Sequence, residues 1–287
     1  MYEKIRLKLE KKLNGKQLTD AHRHSLYDIN KVANMENLSI AEWSKYDSFL
    51  EYQNKTKKLY GEELFVEIKE WLEFSYNENI RTVLDFSAKH ASDDLNDIYK
   101  RYNIKSFSPL KWNKLSKIND DYIPKFIILP DERLLTDEIM KNVSLITKSY
   151  PSIRFTMHCM ESEEHKNIAL MKFGMTTVEW LSQYNFFNDK LYLVHVNEIS
   201  ANDIDLIRQN DVKIILCPLM RKSLKYNNSN IPLDLDICFG TDAPLISQNR
   251  SLINSAIYQT IIWIENGVKF NQAIEATVRG LTNRIIS

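Results

Sequence analysis

Short runs of apolar, β-branched and aromatic residues recur at 17–22, 82–86, 104–108, 125–129, 153–158, 191–195, 212–216 and 236–240, and each reads as a strand. Most of the intervening segments carry a helical period instead. Leu64, Phe65, Ile68, Trp71 and Leu72 mark one face over 62–74, and 203–209 repeats the pattern. Helix starts agree, because Thr176 with Glu179 and Ser200 with Asp203 have capping-box spacing ahead of apolar residues. Eight strands with helix in most of the gaps between them predict a parallel α/β sheet. Such a chain closes most naturally into a (β/α)8 TIM-like barrel, with a doubly wound open sheet as the competing arrangement.

Two intervals break the rhythm. Residues 25–79 are long enough for a helical insertion after the first strand, whereas 218–234 is short and polar and is expected to hold little helix. No Pro-, Gly- or Ser-rich linker and no repeat divides the chain, so a single domain over 1–287 is expected. In a barrel the loops after the strands build the site, and these irregular intervals should shape substrate entry.

Composition narrows the function. Lys+Arg number 38 and Asp+Glu 38, so the net charge is zero and no field gathers nucleic acid or an anionic membrane surface. A small molecule is the expected partner, and homodimerisation is compatible with the sequence. Hydrophobic content of 44% suits a folded core and excludes a disordered chain. Cys159, Cys217 and Cys238 are too few and too scattered for a disulfide framework, which fits a reducing cytoplasm. Residues 1–12 show no secretory apolar core, and no run is long enough to span a membrane.

The candidate chemistry lies at the ends of strands. His22 and His24 stand two apart at the end of the first strand, where period two puts both imidazoles on one face. His158 ends the fifth strand, His195 the sixth, and Asp242 follows the eighth. Parallel strands in a barrel bring these ends to one rim, and imidazole nitrogens with one carboxylate suit Zn2+ and also Fe2+. Glu161, three residues after His158, is placed to move protons during a hydrolysis. His90, Trp112, Arg133 and Arg221 follow other strands and are the candidate substrate contacts, with Asp131 and Glu132 on the same rim as Arg133. Cys159 and Cys217 are expected to pack in the core, and His165, in an acidic helical turn, to be solvated.

Together these segments resemble the amidohydrolase superfamily, specifically the mononuclear aminohydrolase branch with cytosine, guanine, adenosine and S-adenosylhomocysteine deaminases. Asp20-Ala21-His22-Arg23-His24, His158-Cys159-Met160-Glu161, Leu193-Val194-His195 and Gly240-Thr241-Asp242 carry the resemblance, in order and strand number. Cys217-Pro218, the stretch 247–252 and Glu275-Ala276-Thr277-Val278-Arg279-Gly280 extend it over essentially the whole chain. The resemblance implies one Zn2+ or Fe2+ on His22, His24, His158 and Asp242, with Glu161, His195 and Asp242 as catalytic groups. It implies an aminohydrolase that replaces an amino group by oxygen on a heterocycle. Hydrolysis of another C–N or C–halogen bond is the alternative, and a non-catalytic binding barrel a more distant one.

Three departures accompany it. The β-sandwich that many relatives build from both termini is expected to be absent. The seventh strand is followed by Cys217-Pro218-Leu219-Met220-Arg221, where relatives commonly have Cys-Pro-x-Ser-Asn. Glycine is scarce, at 6 residues. No lysine ends the fourth strand, Ile128-Leu129-Pro130, so the bridged metal pair of the hydantoinase-like relatives is not expected.

Overall fold

The computed structural model describes residues 1–27, 32, 42, 45–87, 92–226, 231–243 and 250–283. All eight expected strands are present among them, shifted by at most two residues at either end. The chain divides into two compact units, one of Met1–Ser108, Cys217–Lys225 and Cys238–Ser287, the other of Pro109–Leu216 and Tyr226–Ile237.

The first unit opens with helix α1, Tyr2–Leu13, which the sequence reading does not anticipate. Its buried residues are Ile5, Leu9 and Leu13, a single stripe of period four in a segment rich in lysine and glutamate. Strand β1, Leu18–Arg23, follows, and all six of its residues are buried, as expected for a parallel strand covered on both faces. Helices α2, Asp47–Thr56, and α3, Gly61–Asn77, lie inside the long interval after β1. Helix α3 buries Leu64, Ile68, Trp71 and Leu72 on one face, and truncating any of these to alanine would cost about 2–5 kcal/mol. Strand β2, Ile80–Asp85, helix α4, Ser92–Arg101, and strand β3, Lys105–Phe107, complete a three-stranded parallel sheet in the order β1-β2-β3.

Strand β4, Leu110–Lys111, is a short element absent from the sequence reading. Pro109 stands between β3 and β4, and its missing N–H interrupts what would otherwise be one run. In the second unit β4 is followed by a 3-10 helix, Trp112–Lys117, strand β5, Phe126–Ile128, and helix α5, Asp137–Ser149. Next come β6, Arg154–Cys159, α6, Glu163–Phe173, α7, Thr177–Leu181, β7, Leu191–His195, α8, Ala201–Gln209, and β8, Lys213–Leu216. Strands β4 to β8 pair in parallel and in sequence order. Both expected capping boxes form, Thr176 with Glu179 on α7 and Ser200 with Asp203 on α8. The Thr176 hydroxyl also donates to Asp203, tying the two helix starts together.

Helix α9, Pro218–Ser223, fills part of the interval expected to hold little helix. Proline at its start explains this, since a missing N–H costs nothing in the first turn. Strand β9, Ile237–Phe239, and helices α10, Leu252–Glu265, and α11, Phe270–Thr282, end the described chain. Among the described residues no helix is long and apolar enough to cross a membrane. Cys159, Cys217 and Cys238 are all buried, as expected for Cys159 and Cys217.

Candidate functional site

In the first unit the candidate ligands His22, His24 and Asp242 come together. Period two along the end of β1 places the His22 and His24 rings 4.8 Å apart. The Asp242 N–H donates to the His22 carbonyl at 2.9 Å, and the His24 N–H donates to the Asp242 carbonyl at 3.4 Å. This main-chain bridge delivers the side chain. Asp242 Oδ1 lies 3.6 Å from His22 Nε2 and 3.7 Å from His24 Nε2. These separations exceed hydrogen-bond range and lie close to the edges, about 3.3–3.6 Å, of a tetrahedron whose metal–ligand bonds are about 2.0–2.2 Å. His22 is wholly buried and Asp242 nearly so, and their nitrogen and oxygen donors fit Zn2+ or Fe2+.

The surroundings fix this geometry. Asp20 Oδ1 accepts the Thr241 N–H at 3.0 Å and Asp20 Oδ2 accepts the Thr241 hydroxyl at 2.6 Å, immediately before Asp242. Arg23 Nε donates to Asp20 at 2.8 Å while its guanidinium lies over the Trp71 ring at 4.5 Å. Burial pushes the Asp20 carboxyl up, with Arg23 and Thr241 pulling against it. At the end of β2, Asp85 accepts from the Ser25 hydroxyl, from the Ser87 N–H at 2.8 Å and from the Tyr99 hydroxyl at 2.8 Å, which anchors the chain just past His24. Gly240 is required for space, since a Cβ there would stand 2.8 Å from both the Cβ and the carbonyl oxygen of His22.

In the second unit His158, Glu161 and His195 come together. Register pairs Cys159 with His195, and the His158 and His195 rings lie nearly parallel at 5.4 Å. Glu161 is buried rather than solvated, with Oε1 3.7 Å from His195 Nε2. Between His158 and Glu161 the chain turns at Met160, whose φ is 42°. The Val196 N–H donates to the Cys159 carbonyl at 3.0 Å and the Glu198 N–H to the Met160 carbonyl at 3.2 Å, and Asn197 Nδ2 donates to the Glu161 carbonyl at 2.9 Å. From the loop after β5, Glu132 Oε1 accepts the Met160 N–H at 2.8 Å and the Thr177 hydroxyl at 2.9 Å. Burial drives the Glu132 carboxyl up to about 7 despite those donors.

Left-handed backbone collects at these residues. Met160, His195, Val196 and Asp242 all have positive φ, at 42°, 74°, 44° and 61°. None is an asparagine or a glycine, and for β-branched Val196 the conformation is a true outlier.

The remaining candidates are placed as follows. Trp112 begins the 3-10 helix and, with Leu134, Ile139 and Ile146, lines a cavity of about 800 Å3. Arg133 is exposed and doubly bonded to Asp131, with Nε to Oδ1 at 3.1 Å and Nη2 to Oδ2 at 2.6 Å. Arg221 is buried on α9, where Nη2 donates to Gln259 at 2.8 Å and burial lowers its guanidinium to about 10. His90 lies outside the described residues, as do 247–249 of the stretch after Asp242. His165 corrects the sequence reading: it is buried, its Nδ1 is 2.9 Å from the Ser162 hydroxyl that caps α6, and burial lowers its pKa. Its acidic neighbours Glu163 and Glu164 suggested solvent, but the helix start folds the imidazole inward. Sequence reasoning did not find Asn197, Asp85 or the burial of Glu132. The one available signal was a polar residue at or shortly after the end of a strand.

No protein-family model matches the chain. It is similar to a 5-methylthioadenosine/S-adenosylhomocysteine deaminase of Clostridium tetani, 26% identical over 110 residues that cover 37% of this chain and 26% of the relative. A protein of the same name from Pyrococcus horikoshii is 25% identical over 146 residues, covering 48% of this chain and 34% of the relative. The matched stretch thus spans about a quarter to a third of these curated relatives. Among solved structures, an adenosine deaminase from Xanthomonas campestris with bound zinc superposes with a TM-score of 0.73 at 12% identity, covering 93% of this chain and 66% of that one. The chain shares that fold.

Proposed function

We propose that the chain, similar over part of its length to curated deaminases, belongs to the amidohydrolase superfamily and is a metal-dependent aminohydrolase acting on a nucleobase-like heterocycle. The observation that carries this reading is the approach of two imidazole nitrogens to one Asp242 oxygen at metal-ligand spacing. In this reading the strands close as a (β/α)8 barrel and His158 completes the ligand set, with Zn2+ the expected ion and Fe2+ the alternative.

When bound, such an ion supplies Lewis acidity and lowers the pKa of water into the working range. The chain's own groups move the protons. Asp242, fixed by its main-chain bridge to His22, takes the proton of the attacking water, and His195 steers that transfer beside Glu161. Glu161 gives a proton to the ring nitrogen next to the amino-bearing carbon. A C–O bond forms, the exocyclic C–N bond breaks and ammonia leaves. Of the two protons of water, one departs with ammonia and the other ends on the ring nitrogen of the product. Three scattered, buried thiols support a reducing cytoplasm as the working compartment.

Metal content by plasma mass spectrometry, paired with an ammonia-release screen of aminopurine nucleosides and aminopyrimidines, tests the reading. About one zinc or iron per chain is expected, lost in a His22→Ala/His24→Ala variant, together with ammonia release that needs Glu161. No metal after reconstitution, or a loaded protein that releases no ammonia from any of these compounds, would overturn it.

A further inference from the structure

Glu132 is wholly buried, and its Oε2 has no hydrogen-bond partner among the described residues. A carboxyl in that condition is costly to keep, so what it holds is informative. Its other oxygen accepts the Met160 N–H, and the Thr177 hydroxyl fixes that same oxygen from the start of α7. Met160 is in the left-handed region, a conformation that persists only where the surroundings hold it. From the opposite side, Asn197 Nδ2 binds the Glu161 carbonyl and the Glu198 N–H binds the Met160 carbonyl. The backbone of Met160 and Glu161 is therefore gripped by the loop after β5 and by the loop after β7.

We propose that Glu132 and Asn197 are positioning residues that clamp the Met160–Glu161 backbone and so keep the Glu161 carboxyl beside His195. This rests on the proton-transfer role of Glu161 in the reading above. Neither side chain needs to touch substrate. Each acts on main-chain atoms, so the clamp works through the direction in which Glu161 leaves the backbone.

The test uses the full chain carrying its metal, with Glu132→Ala, Glu132→Gln and Asn197→Ala. In the alanine variants kcat should fall on the order of 10- to 100-fold, with KM and metal content unchanged. Glu132→Gln keeps an accepting oxygen at the same place and should restore kcat to within several-fold of wild type. A merely structural role would lower the melting temperature and leave kcat per folded, metal-loaded chain unchanged, and that result would overturn the proposal. An activity-independent arm follows the Met160 amide by NMR. Its proton resonance should move upfield in Glu132→Gln and further in Glu132→Ala, as the accepting carboxylate is replaced and then removed. Where Glu132→Ala does not fold, Glu132→Gln alone decides, and an unmoved Met160 resonance overturns the clamp. A wild-type protein without turnover would defeat the aminohydrolase reading while this arm still judged the clamp.

Discussion

The Asp242 amide donates to the His22 carbonyl, so the carboxylate near the end of the chain is located by the main chain of an imidazole residue near its beginning. Asp20 reinforces the link by holding both the amide and the hydroxyl of Thr241. The bonds that link Asp242 to His22 and His24 run through main-chain atoms and do not use the Asp242 side chain. Removing that side chain should therefore leave His22 and His24 in position.

Asp242→Ala is accordingly expected to fold when metal-free, losing the bond from the Ala243 N–H to Asp242 Oδ1, and to bind its ion at least tenfold more weakly, about 1.4 kcal/mol or more. Metal titration against a chromophoric chelator measures this. Undiminished affinity would place the carboxylate outside the ligand set.

Gly240→Ala should be damaging although alanine is the smallest change available. The added Cβ meets the backbone oxygen of His22, which cannot withdraw without breaking its bond from the Asp242 amide. Overpacking of this sort costs about 1–3 kcal/mol. Urea unfolding should show that loss, and metal occupancy should fall with it. Wild-type values for both would mean that the main chain yields here.

Glu161→Gln preserves shape and removes the transferable proton. Metal content should be unchanged and kcat should drop about 100- to 10,000-fold, with KM little altered. Steady-state ammonia release settles it, and turnover within a few-fold of wild type would remove Glu161 from the chemistry.

Most strands were legible because they are short runs enclosed on both faces, as in β1 and β7, where every residue is buried. The site histidines were legible because strand ends carry chemistry in this kind of fold, and His22, His158 and His195 are all found at or beside such ends. Helix α1 was not, since Ile5, Leu9 and Leu13 give one apolar residue per turn among lysines and glutamates. Strand β4, two residues just past Pro109, lies beyond the run at 104–108 and is too short to show a period. His165 was misread because charge in neighbouring residues says nothing about which way a ring turns. The grip of Glu132 and Asn197 on Met160 joins loops far apart in the chain, and no local pattern encodes such a contact.

Glu132 also predicts a pH dependence. Burial raises its carboxyl from an ordinary 4.5 to about 7, so the folded chain holds this proton more tightly than the unfolded chain. Its contribution to stability is complete below about pH 4.5 and is lost as the pH climbs through 7. Among the groups around it, burial acting on Asp131 is outweighed by Arg133, which holds that carboxyl below its usual range. The buried Cys159 thiol is pushed far up and stays neutral. The ammonium of Lys172 lies 3.3 Å from the Glu132 carbonyl. These groups are common to wild type and Glu132→Gln, so their effects cancel between the two. From pH 5 to pH 8 the wild type should lose roughly 2–3 kcal/mol relative to the variant in urea unfolding. A constant difference would show that Glu132 titrates alike in both states.

The four left-handed residues at Met160, His195, Val196 and Asp242 set heat resistance and turnover against each other. Each conformation costs about 1–3 kcal/mol that a relaxed backbone would recover. Laboratory evolution under thermal selection alone would gain by straightening these turns, and the proteins it enriched would be sturdier and slower. The same positions should be held fixed when the chain is engineered for robustness, with stabilising changes directed to the helices instead.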